Sequence, residues 1–322
     1  MREKVNGFVG VMAVAILCMV SGLCMVWGIA PVVLAVYVAA CAVCGRYMIT
    51  CIGCAAGVAA GSMGIAGLLH AYEYMIPGPV YSGVMVTEKY LVLLGLAMCL
   101  MKIVYSRNSR SYVRVIVVMS AAVLMGNIVV YADNMLMAAA YGVVEAAIFM
   151  CASVILKPGI GLLYTYICGD ASDVERDESW NISQGIVSLM ALAAVVLWVV
   201  PGEDIYGVNP AFMLALVLIL YAVYRTGAVY GCGMAAVAGS IVSVKLNDSR
   251  WLMWMLLVTL VMLIGRALTG RRKVSASLFY VLGCVLASVA DGTVLWNGSG
   301  REIAFYYINI AVPVVLFACI PS

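Results

Sequence analysis

The chain has 322 residues, of which 66% are hydrophobic and only 10% charged, with a formal net charge of +3 and a mean hydropathy of +1.11. A soluble domain carries roughly 25% charged and 45–50% apolar residues, so no soluble core could hide this much apolar surface, and the chain belongs in a bilayer. The same figures exclude a secreted disulfide module, a nucleic-acid reader and a disordered tail.

A helix crosses the hydrocarbon core with roughly 20 apolar residues, and each crossing must satisfy its own backbone hydrogen bonds. The apolar runs are continuous and rich in Ala, Leu, Met and Val, without strand-length alternation, which predicts helices rather than a barrel. Twelve apolar segments follow in order: 8–27, 30–45, 48–70, 86–105, 112–131, 135–157, 183–200, 211–225, 227–244, 251–269, 275–295 and 303–320. Several are short, and a re-entrant pair is the alternative to two full spans over 211–244. The expected fold is all-α, a polytopic transmembrane helical bundle of about 10–12 spans. It forms a single membrane domain over 1–322, with helix groups 1–157 and 183–322 joined by an acidic loop at 169–183.

Lys and Arg near span ends prefer the cytoplasm. With the N-terminus inside, Arg2 and Lys4, Arg46, the group Arg107, Arg110 and Arg114, Lys157, Arg225, and the group Arg266, Arg271, Arg272 and Lys273 all fall inside. Glu73, Asp133, Glu203 and Asp204 fall outside, with Lys89, Lys245, Arg250 and Arg301 as exceptions. An even span count then places the C-terminus in the cytoplasm too. The first segment is read as a span, because no small-residue cleavage pattern stands apart from it. The polar stretch Gly169–Ser183, with Asp170, Asp173, Glu175, Arg176, Asp177 and Glu178, reads as a solvated cytoplasmic loop. No internal repeat links the two halves.

Little of the remaining sequence carries chemistry. Cys41, Cys44, Cys51 and Cys54 form two CxxC pairs, but only six residues separate them and both lie in apolar helix. Zinc pairs are usually separated by about 15–20 residues, so packing is expected, with no metal and no cofactor. The single histidine, His70, stands beside Tyr72 and Glu73 near a span end and reads as an interfacial side chain. Glu145, in Val143–Ala147, is the one carboxylate placed mid-segment, and intramembrane charges are costly enough to be functional candidates. Gly53, Gly57 and Gly61 repeat every four residues, and Gly227 and Gly231 form a second GxxxG. Small residues let helix backbones approach closely in lipid, so these glycines are expected to pack helices or join copies. No hydrolase elbow, phosphate loop or dinucleotide fingerprint is present, and no catalytic residue is expected.

Four stretches carry a resemblance. The first is Tyr141–Leu163, with Glu145 and Ala146 as an EA pair before a short basic exit. The second is Ser183–Leu189, which keeps Ser188-Leu189 but has Gln184 and Gly185 where carboxylates are usual. The third runs from Tyr206 through Asn209-Pro210 into the Gly-rich segment ending at Gly239. The fourth runs from Gly265-Arg266 through Gly283 to the closing Val312–Phe317 and Pro321. In order and spacing these resemble the N-terminal membrane region of stage II sporulation protein E of endospore-forming Firmicutes, over most of 130–322.

The resemblance implies a bacterial cell-membrane protein at the polar division septum. It also implies that the chain anchors a cytoplasmic metal-dependent serine/threonine phosphatase that regulates a sporulation sigma factor. Ser322 falls where that membrane region would hand over to the cytoplasmic part, so the phosphatase and its residues are expected to be absent from this chain. The implied function is tethering and septal localisation, not enzymatic. Expected partners are the lipid bilayer, further copies of the chain, and septal or division proteins, with no nucleic acid. Arg107, Arg110, Arg114, Arg271, Arg272 and Lys273 are expected to meet anionic lipid headgroups. Two other readings compete. A small-molecule or proton-coupled transporter would use Glu145, and an intramembrane redox protein would use the CxxC pairs.

Overall fold

Where every residue of a turn is apolar and no water is at hand, the helix is the local structure that closes its own hydrogen bonds. The computed structural model of the protein describes residues 2–23, 30–63, 83–103, 109–132, 134–168, 182–200, 202, 208–291 and 300–319. Among these lie twelve helices and no strand: α1 Arg2–Gly22, α2 Pro31–Cys44, α3 Tyr47–Met63, α4 Gly83–Ile103, α5 Ser109–Val130, α6 Met135–Cys168, α7 Ile182–Val199, α8 Pro210–Arg225, α9 Ala228–Lys245, α10 Arg250–Thr269, α11 Lys273–Asp291 and α12 Gly300–Cys319. Each of the twelve apolar segments holds one helix, and the 211–244 stretch resolves into α8 and α9.

Five of the helices (α5, α6, α9, α10 and α11) are long and apolar enough to cross a membrane by length and composition. Only 28% to 39% of the most apolar window of each is buried. Large side chains such as Val129, Leu136, Val229 and Val274 face outward. Apolar surface on this scale is not left to water in ordinary soluble monomers, and it is compatible with a membrane location. The buried hydroxyls of Ser153, Thr259 and Ser288 are satisfied locally, each donating to the carbonyl four residues back.

The segment expected to end at 157 continues without a break. The 34-residue α6 passes through Pro158 and is about 51 Å long at 1.5 Å per residue. Proline lacks an N–H and opens the helical ladder. The next amide, Gly159 N–H, is taken by the Ser188 hydroxyl of α7 at 2.6 Å. A side chain at Gly159 would strike the Ser188 backbone, and one at Gly185 would strike Leu162, so α6 and α7 meet through glycines. Lys157, expected in a cytoplasmic loop, therefore lies within α6, with Nζ 4.6 Å over the Tyr112 ring. The chain forms two compact units, Met1–Val195 and Val196–Ser322, with the divide within α7.

The first unit, Met1–Val195, is built around α2. All residues from Pro31 to Cys41 are buried. A helix that is hydrophobic all round must be enclosed all round, and α1, α3, α4 and α6 enclose this one. Its 14 residues reach only about 21 Å, short of a hydrocarbon core of about 30 Å. Pro31 opens it, and Gly45, at φ 63, closes it by donating to the Cys41 carbonyl. That left-handed conformation suits glycine. The α1–α3 contact is backbone on backbone: a Cβ at Gly53 would lie 2.7 Å from the Ala15 oxygen, and one at Gly57 would lie 2.9 Å from Gly22 Cα.

In the second unit, Val196–Ser322, α10 packs on α9 through Gly239 and on α11 through Gly265 and Gly283. The start of α8 is fixed by Asn209. Its Oδ1 accepts from Phe212 N at 2.9 Å, and its Nδ2 donates to the Gly202 carbonyl at 2.7 Å. Its own backbone N–H donates to Asn309 Oδ1 on α12 at 3.0 Å. Replacing such a cap by Ala costs about 1–2 kcal/mol. Asn209→Ala is therefore expected to lower the Tm of the purified chain measurably, and an unchanged melting curve would remove the cap from this account.

Candidate functional site

An isolated charge among apolar helices is expensive, and it persists when its partner and its remaining hydrogen-bonding groups are supplied by neighbouring helices. Glu145 is such a charge. It lies on α6, and Lys89 on α4 reaches it, with Nζ 2.7 Å from Oε2. The Lys89 side chain is 4% exposed and that of Glu145 20%. Asn127 on α5 joins them: its Oδ1 accepts from Lys89 Nζ at 3.1 Å and its Nδ2 donates to Glu145 Oε2 at 2.7 Å. The amide also donates to the Val123 carbonyl at 3.1 Å. Tyr90 completes the set. Its hydroxyl donates to Glu145 Oε2 at 3.0 Å, and its ring lies 4.7 Å below Lys89 Nζ.

The local sequence explains why three helices can close on these groups. Gly126 stands beside the Lys89 stem, and a Cβ there would come within 3.2 Å of Lys89 Cγ. Gly142 lets α6 approach α5, since its Cβ would lie 3.4 Å from Leu124 Cα and 3.5 Å from Asn127 Cβ. One turn of α6 thus presents a glycine notch and then the carboxylate. Above the pair, Tyr131 and Tyr141 stack with centroids 5.2 Å apart. Chemically, this cluster can hold a carboxylate and an ammonium together and fix α4, α5 and α6 in register.

Sequence reasoning placed Glu145 correctly in the middle of a helix but assigned Lys89 to an outside loop. The structure buries Lys89 inside the bundle instead. The signal was present: a Lys, an Asn and a Glu each lie in otherwise apolar segments, and burial in lipid forces such residues together.

The remaining candidates are dispersed. Gly53 and Gly57 lie at the α1–α3 contact, and Gly61 is buried further along α3. Gly231 packs on α8, where a Cβ would fall 2.7 Å from Val223 Cγ2. Gly227 is not on a helix face: it precedes α9 at φ 98, in the turn after α8. Arg114 is exposed on α5, and Arg110 stands in its first turn. Arg271 and Arg272 are exposed between α10 and α11, and Lys273 begins α11 with Nζ 5.6 Å from the Phe317 ring. Arg107, His70, Glu73, Pro321 and the acidic residues 170–178 lie outside the described residues.

Cys41 Sγ lies 3.1 Å from Thr50 Oγ1, and Cys54 Sγ faces the Val33 carbonyl at 4.0 Å. Cys44 and Cys51 are half-buried, and none of the four is in a disulfide. Among the described residues no three His, Cys, Asp or Glu side chains come close enough to share a metal ion.

No family model matches the chain, and neither the curated proteins nor the solved structures contain a match.

Proposed function

We propose that the chain is a multi-pass membrane anchor of about 10–12 spans, with both termini in the cytoplasm. It acts as the localisation module of a sporulation regulator resembling stage II sporulation protein E, holding a cytoplasmic phosphatase at the polar septum. Tethering of this kind works by raising local concentration. The observation that carries the anchoring reading is the closed Lys89–Glu145–Asn127–Tyr90 cluster. Three donors converge on one carboxylate oxygen, and glycine notches seat the helices around it. That is the construction of a fixed joint.

Of the basic residues that stood against this orientation, Lys89 drops out of the loop count, while Lys245 and Arg250 still stand at the ends of α9 and α10. Lys89 is paired inside the bundle, so it has no bearing on loop charge. Lys245 Nζ donates to the Val200 carbonyl at the end of α7. Arg250 binds both oxygens of Asp248, and these bonds hold that carboxyl below the usual carboxylate range.

A fluorescent protein fused to the C-terminus should give a band at the polar septum when an endospore-forming bacterium begins to sporulate. Even labelling of the whole membrane would reject septal targeting. The same cluster also favours a second reading, a proton-coupled transporter. In that case Glu145→Gln would abolish proton-driven uptake in vesicles.

A further inference from the structure

A helix face turned to lipid has no use for a polar group, because hydrocarbon offers it no partner. The outward face of α11 fits that rule: Leu278, Leu282, Val285 and Val289 are exposed and wholly apolar. The outward face of α6 does not. There Tyr141, Ile148 and Ile155 are exposed, and Glu145 and Ala152 are half-buried among them. These five residues follow one another at steps of four, three, four and three, so they form one seam along the helix. A repeat averaging 3.5 residues is the spacing by which two helices pack along their length.

Two groups on this seam have no hydrogen-bond partner among the described residues. Glu145 accepts all three of its bonds through Oε2, and Oε1 accepts none. The Tyr141 ring stacks on Tyr131, but its hydroxyl makes no bond. One group is an acceptor and the other a donor, one helical turn apart, and they do not meet within the chain. Both are costly to leave unpaired in hydrocarbon. The glycines expected to join copies are not available for that task, since Gly53 and Gly57 seat α3 on α1, and Gly231 seats α9 on α8.

We propose that the α6 seam joins two copies of the chain in the membrane, the Tyr141 hydroxyl of each copy donating to Glu145 Oε1 of the other. A two-fold interface is self-complementary: if residue i meets j, then j meets i. One donor and one acceptor per copy therefore satisfy both pairs together. Ala152 lets the two helices approach closely, and Ile148 and Ile155 fill the seam on either side of it. Each Glu145 is already paired with Lys89 at 2.7 Å, so the two carboxylates come together as neutral ion pairs and not as bare like charges. The proposal rests on the membrane reading, and it gives the outer side of the Glu145 cluster a partner.

The test uses the full chain, labelled with donor or acceptor dye and reconstituted into phosphatidylcholine vesicles. Energy transfer over a range of protein-to-lipid ratios gives the dimer Kd. Tyr141→Phe keeps the ring and its stack, and should raise that Kd about tenfold, as expected for two interhelical hydrogen bonds lost together. Ala152→Leu should weaken the dimer at least as much. Val118→Leu, on the exposed face of α5, should leave it unchanged. A chain that is monomeric at every ratio overturns the proposal, as does a Kd that neither Tyr141→Phe nor Ala152→Leu shifts or that Val118→Leu shifts equally. The Tm of Tyr141→Phe in detergent should equal that of the wild type, because the hydroxyl holds nothing within the chain. A lowered Tm would mean that the hydroxyl is bonded internally, which also overturns the assignment. Failure to enter the vesicles takes the membrane reading down as well, whereas a chain that inserts and stays monomeric loses only the interface.

Discussion

Lys89→Met is expected to destabilise the first unit by about 3–5 kcal/mol, the usual cost of leaving one half of a buried ion pair without its partner. Glu145 would remain among α4, α5 and α6 with only Asn127 and Tyr90 to hold it. Lys89→Met combined with Glu145→Leu should recover most of that loss, because two apolar side chains of similar size remove the stranded charge. Thermal unfolding of the detergent-solubilised protein distinguishes the cases. A double variant as unstable as the single one would mean that the cluster contributes through packing alone. A harmless Lys89→Met would mean that Lys89 and Glu145 are not partners.

Gly57→Leu should be the most damaging glycine substitution in the first unit. Its Cβ would collide with the Met19 carbonyl and press on Gly22 Cα. Overpacking against flexible side chains costs about 1–3 kcal/mol, and here the obstacle is backbone on both helices, so α1 and α3 must separate. Gly95→Leu on α4 is the matched control, since a Cβ there meets nothing within 4 Å. Fluorescence-detected size-exclusion profiles after heating should show early loss of the folded peak for Gly57→Leu and a near-wild-type profile for Gly95→Leu. Similar profiles for both would reject the α1–α3 contact.

Helix positions were largely legible because they depend on local hydropathy. The expected 251–269 and observed Arg250–Thr269 differ by one residue. The expected 211–225 and observed Pro210–Arg225 also differ by one residue, and the cap at Asn209 is what the structure adds. What failed was what local hydropathy does not encode. The segment expected to end at 157 runs on through Pro158 as α6, and a hydroxyl 29 residues beyond Gly159 accepts the bond from that next amide. Lys89 and Glu145 are 56 residues apart, and their pairing depends on how three helices meet. Gly227 fits a GxxxG spacing, but its positive φ shows that it serves a turn, and spacing alone does not separate those uses. The burial of α2 on every side also followed from neighbours, since its composition is equally that of a lipid-facing span.

The enclosure of α2 also constrains the order of events during synthesis. Its broadest contact is with α6, which begins at Met135, while α2 ends at Cys44. At about 5–20 residues per second, those roughly 90 residues take about 5–20 s to appear. For that interval α2 lacks its broadest partner, and α1, α3 and α4 can shelter only part of it. The first unit is therefore completed from its far end, and a ribosome stalled before α6 leaves behind a fragment that the cell's quality control can recognise by its uncovered centre.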